Sequence, residues 1–171
     1  MKKMLGMIAS LTLISGICAA VLASVDGVTK KPIEMMKAAR EQAAVMAVMP
    51  EGVAKVETAD GFSVGKDASG RIVGYAAKGE DSGGYGGDIV LMVGFMADRK
   101  TVVCYKVLTA SETPGLGSKM TTPEFSSQFA GKDGSLLFVK KDGGEIEAIT
   151  SATITSRAVC RAIGNAQKRL R

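Results

Sequence analysis

The 171-residue chain contains no histidine and only three cysteines, Cys18, Cys104 and Cys160. Histidine is the usual general base of serine hydrolases and a common ligand of catalytic zinc. The cysteines show no Cys-x-x-Cys spacing, the pattern typical of metal sites and thiol redox motifs. The composition therefore argues against a histidine-dependent serine enzyme and against a zinc enzyme, and we expect no metal-ligating residues.

Tryptophan is absent, and the aromatic residues are three tyrosines and five phenylalanines. The net charge of +5 arises from 22 basic and 17 acidic residues spread over both termini and the middle of the chain. Proteins that bind single-stranded nucleic acid combine a basic groove with aromatic side chains on which the bases stack. We therefore expect no nucleic-acid partner, and we interpret the charges as solvated surface.

A long uncharged run lies near the N-terminus. Residues 4–25 form 22 consecutive uncharged positions, and at about 1.5 Å per residue a helix of that length crosses a hydrocarbon core of about 30 Å. The alternative interpretation is a cleaved signal peptide, because "VLAS" (residues 21–24) has the small residues of a cleavage site. The run exceeds the usual apolar region of about 7 to 15 residues, so we predict a retained single-pass anchor.

The remaining sequence predicts one α+β domain with an antiparallel sheet and flanking helices. Short alternating apolar runs separated by turn residues predict hairpins. The full prediction is a helix from Pro32 to Pro50, strands over 53–59, 62–66, 71–79, 88–96 and 101–109, a short helix with Thr122 as N-cap and Pro123 at its first position, a hairpin over 135–150, and a last helix over Ser156–Arg169. We divide the chain into an anchor (1–28), a connecting helix (29–50) and the domain (51–171).

Two loops are not explained by that scaffold. "SETPGLGSKM" (111–120) contains Pro114, Gly115 and Gly117. From composition alone, we interpret this loop as a tight turn. "TSATITS" (150–156) has five hydroxyl side chains before the last helix, more than one helix cap needs. A helix N-terminus favours anions, so a hydroxyl there either binds a phosphate or is esterified by one. The pattern leaves both open.

The stretch "EAITSATITS" resembles the flavinylation motif of bacterial FMN-binding domains. That motif has an acidic residue, two spacers and Ser/Thr-Gly-Ala-Thr-x-Thr, and its last threonine carries FMN through a phosphoester. The corresponding positions are Glu147 (acidic residue), Thr150 (Ser/Thr), Ser151 (Gly), Ala152 (Ala), Thr153 (first Thr) and Thr155 (flavin carrier). Ser151 departs from the usual glycine, and Glu147 from the commoner aspartate.

Three further stretches resemble one component of a known complex. "VTKKPI" (28–33), "YGGDIVLMVGF" (85–95) and "VLTASETPGLGSKM" (107–120) are similar to the G subunit of the Rnf electron-transport complex. The resemblance runs in order from the anchor to Thr155 and covers most of the chain. The related C subunit of the sodium-translocating NADH:quinone reductase shares these motifs but is usually longer, so the short chain favours Rnf.

The resemblance implies an electron-carrier subunit rather than an enzyme with its own substrate. It implies covalent FMN on Thr155, other membrane, iron–sulfur and flavin subunits as partners, and a flavin transferase for maturation. The domain would lie on the outer side of the cytoplasmic membrane. The implied flavin-binding residues are Glu112, Thr113, Pro114, Gly115, Leu116, Gly117, Thr150, Ser151, Ala152, Thr153 and Thr155.

Three alternatives stay open. An anchored or secreted binding module could capture a free anionic ligand noncovalently at the same hydroxyl loop. We interpret Cys104 and Cys160 as buried residues that pack in the apolar core. The alternative is a disulfide between them, which an extracytoplasmic domain would permit. We interpret Lys119 as a solvated surface lysine, and the alternative is that it contacts the phosphate.

Overall fold

The computed structural model describes residues 2–59 and 61–171, so residues 1 and 60 lie outside the description. The chain divides into two units, Met1–Arg40 and Glu41–Arg171, which we describe separately. The main elements in chain order are α1 (Lys2–Val48), β1 (Lys55–Ala59), β2 (Phe62–Lys66), β3 (Ile72–Gly84), β4 (Gly87–Met96), β5 (Val102–Thr109), α2 (Pro123–Ser126) and α3 (Thr153–Lys168).

The first unit is helical. Pro32 lies inside α1, so the predicted helix start at that residue is wrong. Proline removes one helical hydrogen bond, but the residues around it are mostly good helix formers, and the helix continues. The residues assigned above to the anchor, the connecting helix and the domain stay a prediction.

The apolar residues from Met4 to Ala39 are all exposed. Among the described residues, one helix is long and apolar enough to cross a membrane, Lys3–Val48, with a mean hydropathy of 2.2 in its most apolar window. A signal sequence has the same properties. The helix therefore agrees with the membrane segment expected from the uncharged run. It is equally compatible with a retained anchor and with a signal peptide.

The second unit is built on a five-stranded antiparallel sheet. The strands follow one another in chain order, β1-β2-β3-β4-β5, and each pairs with the next. The predicted α+β class and antiparallel sheet are confirmed. The longest pairing joins β3 to β4 and places Ala77 opposite Val93 and Tyr75 opposite Phe95. This pair forms the centre of the sheet, and its far end leads to a turn at Tyr85 and Gly86.

Helix α3 packs on one face of the central strands. Ala162, Ile163 and Ala166 are completely buried in the main core. The approach is so close that a Cβ on Gly79 of β3 would lie 2.0 Å from the Ala162 carbonyl oxygen. At the helix surface, Arg161 donates two hydrogen bonds of 2.8 Å to the Asp81 carboxylate. These contacts fix both the distance and the direction of α3 over the sheet.

The opposite face of the sheet is covered by the residues of α1 that belong to the second unit. Ala44 and Val48 pack there against Ala76 and Met92 in a smaller apolar cluster. A Cβ on Gly94 would lie 1.8 Å from the Val48 carbonyl oxygen, so this strand position requires glycine. The central strand β4 is thus buried on both faces, which explains its nearly continuous apolar run.

The connection from β5 to α3 is held by aromatic packing. Phe129 makes edge-to-face contacts with Tyr105 and Phe125, with centroid distances of 5.4 and 5.3 Å. The Tyr105 hydroxyl donates a 2.5 Å hydrogen bond to the Met120 carbonyl. Pro123 occupies the first turn of α2 as predicted, whereas the hydroxyl of Thr122 at the N-cap donates to the Lys119 carbonyl instead of capping. This packing anchors the end of the 111–120 loop.

The hairpin predicted over residues 135–150 is wrong. The segment contains a short 3₁₀ turn, Lys140–Asp142, and one isolated parallel bridge between Val139 and Ile146. Its apolar side chains alternate because Leu137, Val139 and Ile146 enter the core one at a time. The sequence pattern therefore resembled that of a strand, although the segment does not pair with a neighbour through a ladder of backbone hydrogen bonds. The last helix also begins earlier than predicted, at Thr153 instead of Ser156.

All three cysteines are free. Cys104 packs with the α1 cluster on one face of the sheet, and Cys160 is buried in the main core on the other. The sheet therefore separates the two thiols, and the disulfide considered above does not form. Burial raises the pKa of the Cys160 thiol to about 12, so this group stays a neutral apolar packing element at physiological pH.

Candidate functional site

The two loops singled out in the sequence meet at one hydrogen bond. The Thr155 hydroxyl donates to the Glu112 carboxylate, with 2.7 Å between Oγ1 and Oε2. Thr155 lies in the first turn of α3 and is 1% exposed. Forty-three positions separate the two residues, so the fold of the whole domain brings them together.

A cavity of about 500 Å³ opens around this pair. Its volume lies within the range of about 300–1,000 Å³ that is typical of small-molecule sites. The lining residues come from three parts of the chain and are Tyr85, Glu112, Thr113, Leu116, Gly117, Ser151, Ala152, Thr153, Ile154 and Thr155. Eight of these ten are site residues predicted from the sequence. The cavity combines exposed apolar side chains with hydroxyl groups at a helix N-terminus, as a ligand with a flat ring and a phosphate requires.

Glu112 also connects the site to the β3–β4 turn. Its Oε1 accepts a hydrogen bond from the Gly86 backbone N–H at 3.2 Å, while Oε2 accepts from Thr155. Gly117 lies against both partners, since a Cβ there would be 2.3 Å from Glu112 Oε2 and 2.9 Å from Thr155 Oγ1. One carboxylate thus joins three segments, and a glycine leaves the space for it.

The electrostatic character of the cavity comes from α3 and its neighbours. Ala152, which has no hydroxyl, occupies the N-cap position, and the cavity is formed partly by the first turn that follows. The unpaired N–H groups and the dipole of that turn favour an anion. Lys141 Nζ donates to Thr153 Oγ1 at 3.3 Å, which brings a positive charge to the same turn. The first turn of α3 can therefore hold a phosphate.

The remaining hydroxyl groups of the 150–156 cluster differ in their roles. Ser156 is fully buried, where its Oγ accepts from the Ile149 N–H at 2.9 Å and donates to the Ala152 carbonyl at 3.0 Å. It therefore stabilises the backbone before the helix. Thr150 is exposed and borders a different depression. The cluster is not a set of equivalent acceptors.

Three of the predicted flavin-binding residues, Pro114, Gly115 and Thr150, do not line the cavity, and neither does Glu147, the acidic position of the resembled motif. Pro114 and Gly115 form the turn of the 111–120 loop, where Gly115 has a φ of 78° and donates its N–H to Ser118 Oγ at 2.8 Å. Glu147 is exposed and its carboxylate pairs with Lys140. These residues shape the two loops without contacting the cavity. Lys119 is exposed and borders the depression that Thr150 also lines.

Sequence reasoning missed Tyr85, Ile154 and Lys141. Tyr85 is 71% exposed at the tip of the β3–β4 turn, and Ile154 is 49% exposed in the first turn of α3. An exposed tyrosine between glycines in "GGYGG" was an available signal. Lys141 comes from the segment that was assigned wrongly to a hairpin, so its place next to Thr153 could not be foreseen.

Ser151 has a positive φ of 62°. This left-handed conformation costs an L-residue roughly 1–2 kcal/mol, while glycine adopts it freely. The motif that this segment resembles usually has glycine at that position, and the backbone geometry provides the physical reason.

We expect Ser151→Gly to raise the free energy of unfolding by about 0.5–1 kcal/mol, because relief of strain exceeds the extra flexibility of glycine in the unfolded chain. Chemical denaturation measures the change. Ser151→Ala is the matched control, since it removes the hydroxyl and keeps the strained backbone. A Gly variant no more stable than the Ala variant would contradict this account of the position.

Comparison with known proteins agrees with this site. Residues 84–168 match the family model of the FMN-binding domain. This range begins in the β3–β4 turn region and ends with α3, so it includes both loops and the cavity. The matched region therefore contains all the residues that line the site.

Several curated relatives match nearly end to end. The G subunit of an ion-translocating oxidoreductase complex from Methanosarcina acetivorans is 33% identical, over 96% of this chain and 93% of the relative. The G subunit of the Na⁺-translocating ferredoxin:NAD⁺ oxidoreductase complex of Acetobacterium woodii is 33% identical, over 87% and 83%. The corresponding G subunit of the proton-translocating complex of Clostridium ljungdahlii is 32% identical, over 92% and 86%.

Two solved structures share the fold. NqrC of Shewanella oneidensis superimposes with a TM-score of 0.53 at 22% identity, over 72% of this chain and 66% of that one. The C subunit of the Na⁺-translocating NADH-quinone reductase of Parabacteroides distasonis gives a TM-score of 0.51 at 23% identity, over 64% and 60%. With the near full-length similarity to three G subunits, the chain belongs to the family of G subunits of ion-translocating oxidoreductase complexes and contains an FMN-binding domain.

Proposed function

We propose that this chain is the electron-carrying G subunit of a membrane-bound, Rnf-type ion-translocating complex, with FMN attached through a phosphoester to Thr155. The observation that carries the proposal is the Thr155 hydroxyl in a cavity of about 500 Å³, next to the Glu112–Gly117 loop. The family membership supports the electron-transport role. The covalent bond and the residue that forms it are our own inference.

The phosphate is proposed to lie at the first turn of α3. Thr155 provides the ester oxygen, the free N–H groups of the turn provide hydrogen bonds, and Lys141 provides a positive charge close to Thr153. Thr153, Ala152 and Ser151 line the wall beside it. The tether keeps a small cofactor on a single domain.

The flavin ring is proposed to lie between the two loops. Leu116, Ile154 and Tyr85 border the cavity and are 41%, 49% and 71% exposed. Exposed apolar side chains of this size would be covered by a flat ring, which accounts for their place at the rim. FMN supplies the redox chemistry when bound, and the protein positions it and limits the access of water.

In the carrier role the chain has no substrate of its own to transform, and its redox chemistry comes from the flavin. We propose that it receives and passes electrons within a complex of other membrane, iron–sulfur and flavin subunits, and that a flavin transferase loads it. A noncovalent anion-binding module is the second candidate, because a helix N-terminus and Lys141 also suit a free anion. The two candidates differ in whether the flavin stays with the denatured chain.

We expect Thr155→Ala to abolish covalent FMN, whereas Thr155→Ser retains at least part of it, because serine keeps an acceptor oxygen. The measurement is in-gel flavin fluorescence of the denatured chain, expressed with a flavin transferase. Thr153→Ala is the matched control and should remain labelled. Fluorescence in the Thr155→Ala variant would assign the covalent flavin to another residue. No fluorescence in the native chain would favour the noncovalent module.

We expect Leu116→Ala to raise the midpoint potential of the bound flavin. Removing an apolar cover admits water, which stabilises the negative charge that the ring gains on reduction. Leu136→Ala is the control, since Leu136 is 71% exposed and borders a different depression. Spectroelectrochemical titration of the labelled variants measures the change. Equal potentials in the two variants would remove Leu116 from the flavin environment.

We also propose that residues 1–28 are the anchor, 29–50 a connecting helix and 51–171 the flavin domain, located outside the cytoplasm. The helical, fully exposed apolar run over residues 4–25 supports a membrane segment. An epitope tag placed after Arg171 should then be accessible to antibody in intact spheroplasts, and the chain should resist carbonate extraction. A tag detected only after lysis would reverse the orientation, and a soluble chain beginning near Ser24 would replace the anchor by a signal peptide.

A further inference from the structure

We propose that Glu112 is the general base for flavin attachment, so that the acceptor chain itself supplies the group that takes the Thr155 proton. The inference rests on the proposed function, because it concerns the formation of the Thr155 phosphoester. It assigns a catalytic role to a residue of the 112–117 loop, separate from the role of that loop beside the ring.

The hydrogen bond has the direction that this role needs. The Thr155 hydroxyl donates to Glu112 Oε2 across 2.7 Å, so its proton points at a carboxylate oxygen, a group that accepts hydrogen bonds. The distance lies within the range of about 2.6–3.2 Å expected between a general base and the proton it abstracts. The reacting oxygen and the base are in contact before any other molecule binds.

The carboxylate is also held in place. The Gly86 N–H binds Oε1, and the space at Gly117 lets Oε2 and the Thr155 hydroxyl meet. Oε1 thus fixes the orientation while Oε2 stays available for the proton. Such positioning by a second element reduces the freedom that a flexible glutamate would otherwise have.

The same geometry explains the choice of Thr155 among the hydroxyls of the cluster. Thr153 Oγ1 accepts from Lys141, a cation with no capacity to accept a proton. Ser156 Oγ donates to the Ala152 carbonyl, which is a much weaker base than a carboxylate. Of the three hydroxyls with an identified hydrogen bond, Thr155 is the one paired with a base.

The step balances with a flavin dinucleotide as donor, supplied by the transferase. Thr155 Oγ1 forms a bond to the phosphorus on the flavin side, the P–O bond of the pyrophosphate bridge breaks, and AMP leaves with the bonding electrons. The Thr155 proton moves to Glu112 Oε2, and no electron is gained or lost. The carboxylate of the protein-kinase catalytic loop has the corresponding task, since it accepts the proton of a substrate hydroxyl.

The test is the steady-state rate of flavin transfer to the folded full chain, followed by intact mass as an increment of FMN less one water. We expect Glu112→Gln to lower the transferase kcat by at least about 100-fold at saturating acceptor chain, the usual contribution of a general base, with little change in KM for the chain. Glu124→Gln, on α2 outside the cavity lining, removes the same charge and should react like the native chain.

The outcomes separate the alternatives. A native-like kcat for Glu112→Gln, or an effect confined to KM, would reduce Glu112 to a positioning or recognition residue and overturn the inference while leaving Thr155 as acceptor. Absence of labelling in the native chain would overturn the proposed attachment and the inference with it. If circular dichroism shows the Gln variant unfolded, the pair Glu112→Asp and Glu112→Asn gives the same comparison, and equal rates in that pair would overturn the role.

Discussion

Close packing of α3 on β3 and β4 determines where Thr155 can lie. Completely buried alanines at 162 and 166, with Gly79 opposite, let the helix approach the sheet almost in backbone contact. Burial of a large side chain such as Ile163 adds roughly 1.5–3 kcal/mol. The first turn of α3 is therefore rigidly placed, and the cavity depends on it because half of the lining belongs to residues 151–155.

The second constraint is the loop that faces that turn. Tyr105 holds its end through the 2.5 Å bond to the Met120 carbonyl, and Glu112 holds its start through Gly86 and Thr155. The site thus forms between two anchored segments, which agrees with the general rule that functional loops sit on a rigid scaffold. A carrier that meets several partners benefits from such a site, since its cofactor keeps one orientation.

Much of the sheet and of the cavity lining could be predicted from the sequence, because the patterns that indicate them are local. The strands followed alternating apolar runs, and the two functional loops carried motifs that resemble a known family. The segment 135–150 was mispredicted because Leu137, Val139 and Ile146 alternate in burial without pairing as strands. Tyr85 and Lys141 were missed because their positions at the site depend on tertiary packing, which no local pattern reports.

The central claim is a covalent flavin at one hydroxyl, and peptide mapping of the native chain tests it most directly. Tryptic cleavage after Lys141 and Arg157 releases residues 142–157, which contain every hydroxyl of the cluster. Tandem mass spectrometry should place FMN less one water on Thr155. An unmodified peptide from a chain loaded beside an active transferase, or the increment on Thr153 or Ser156, would contradict the account.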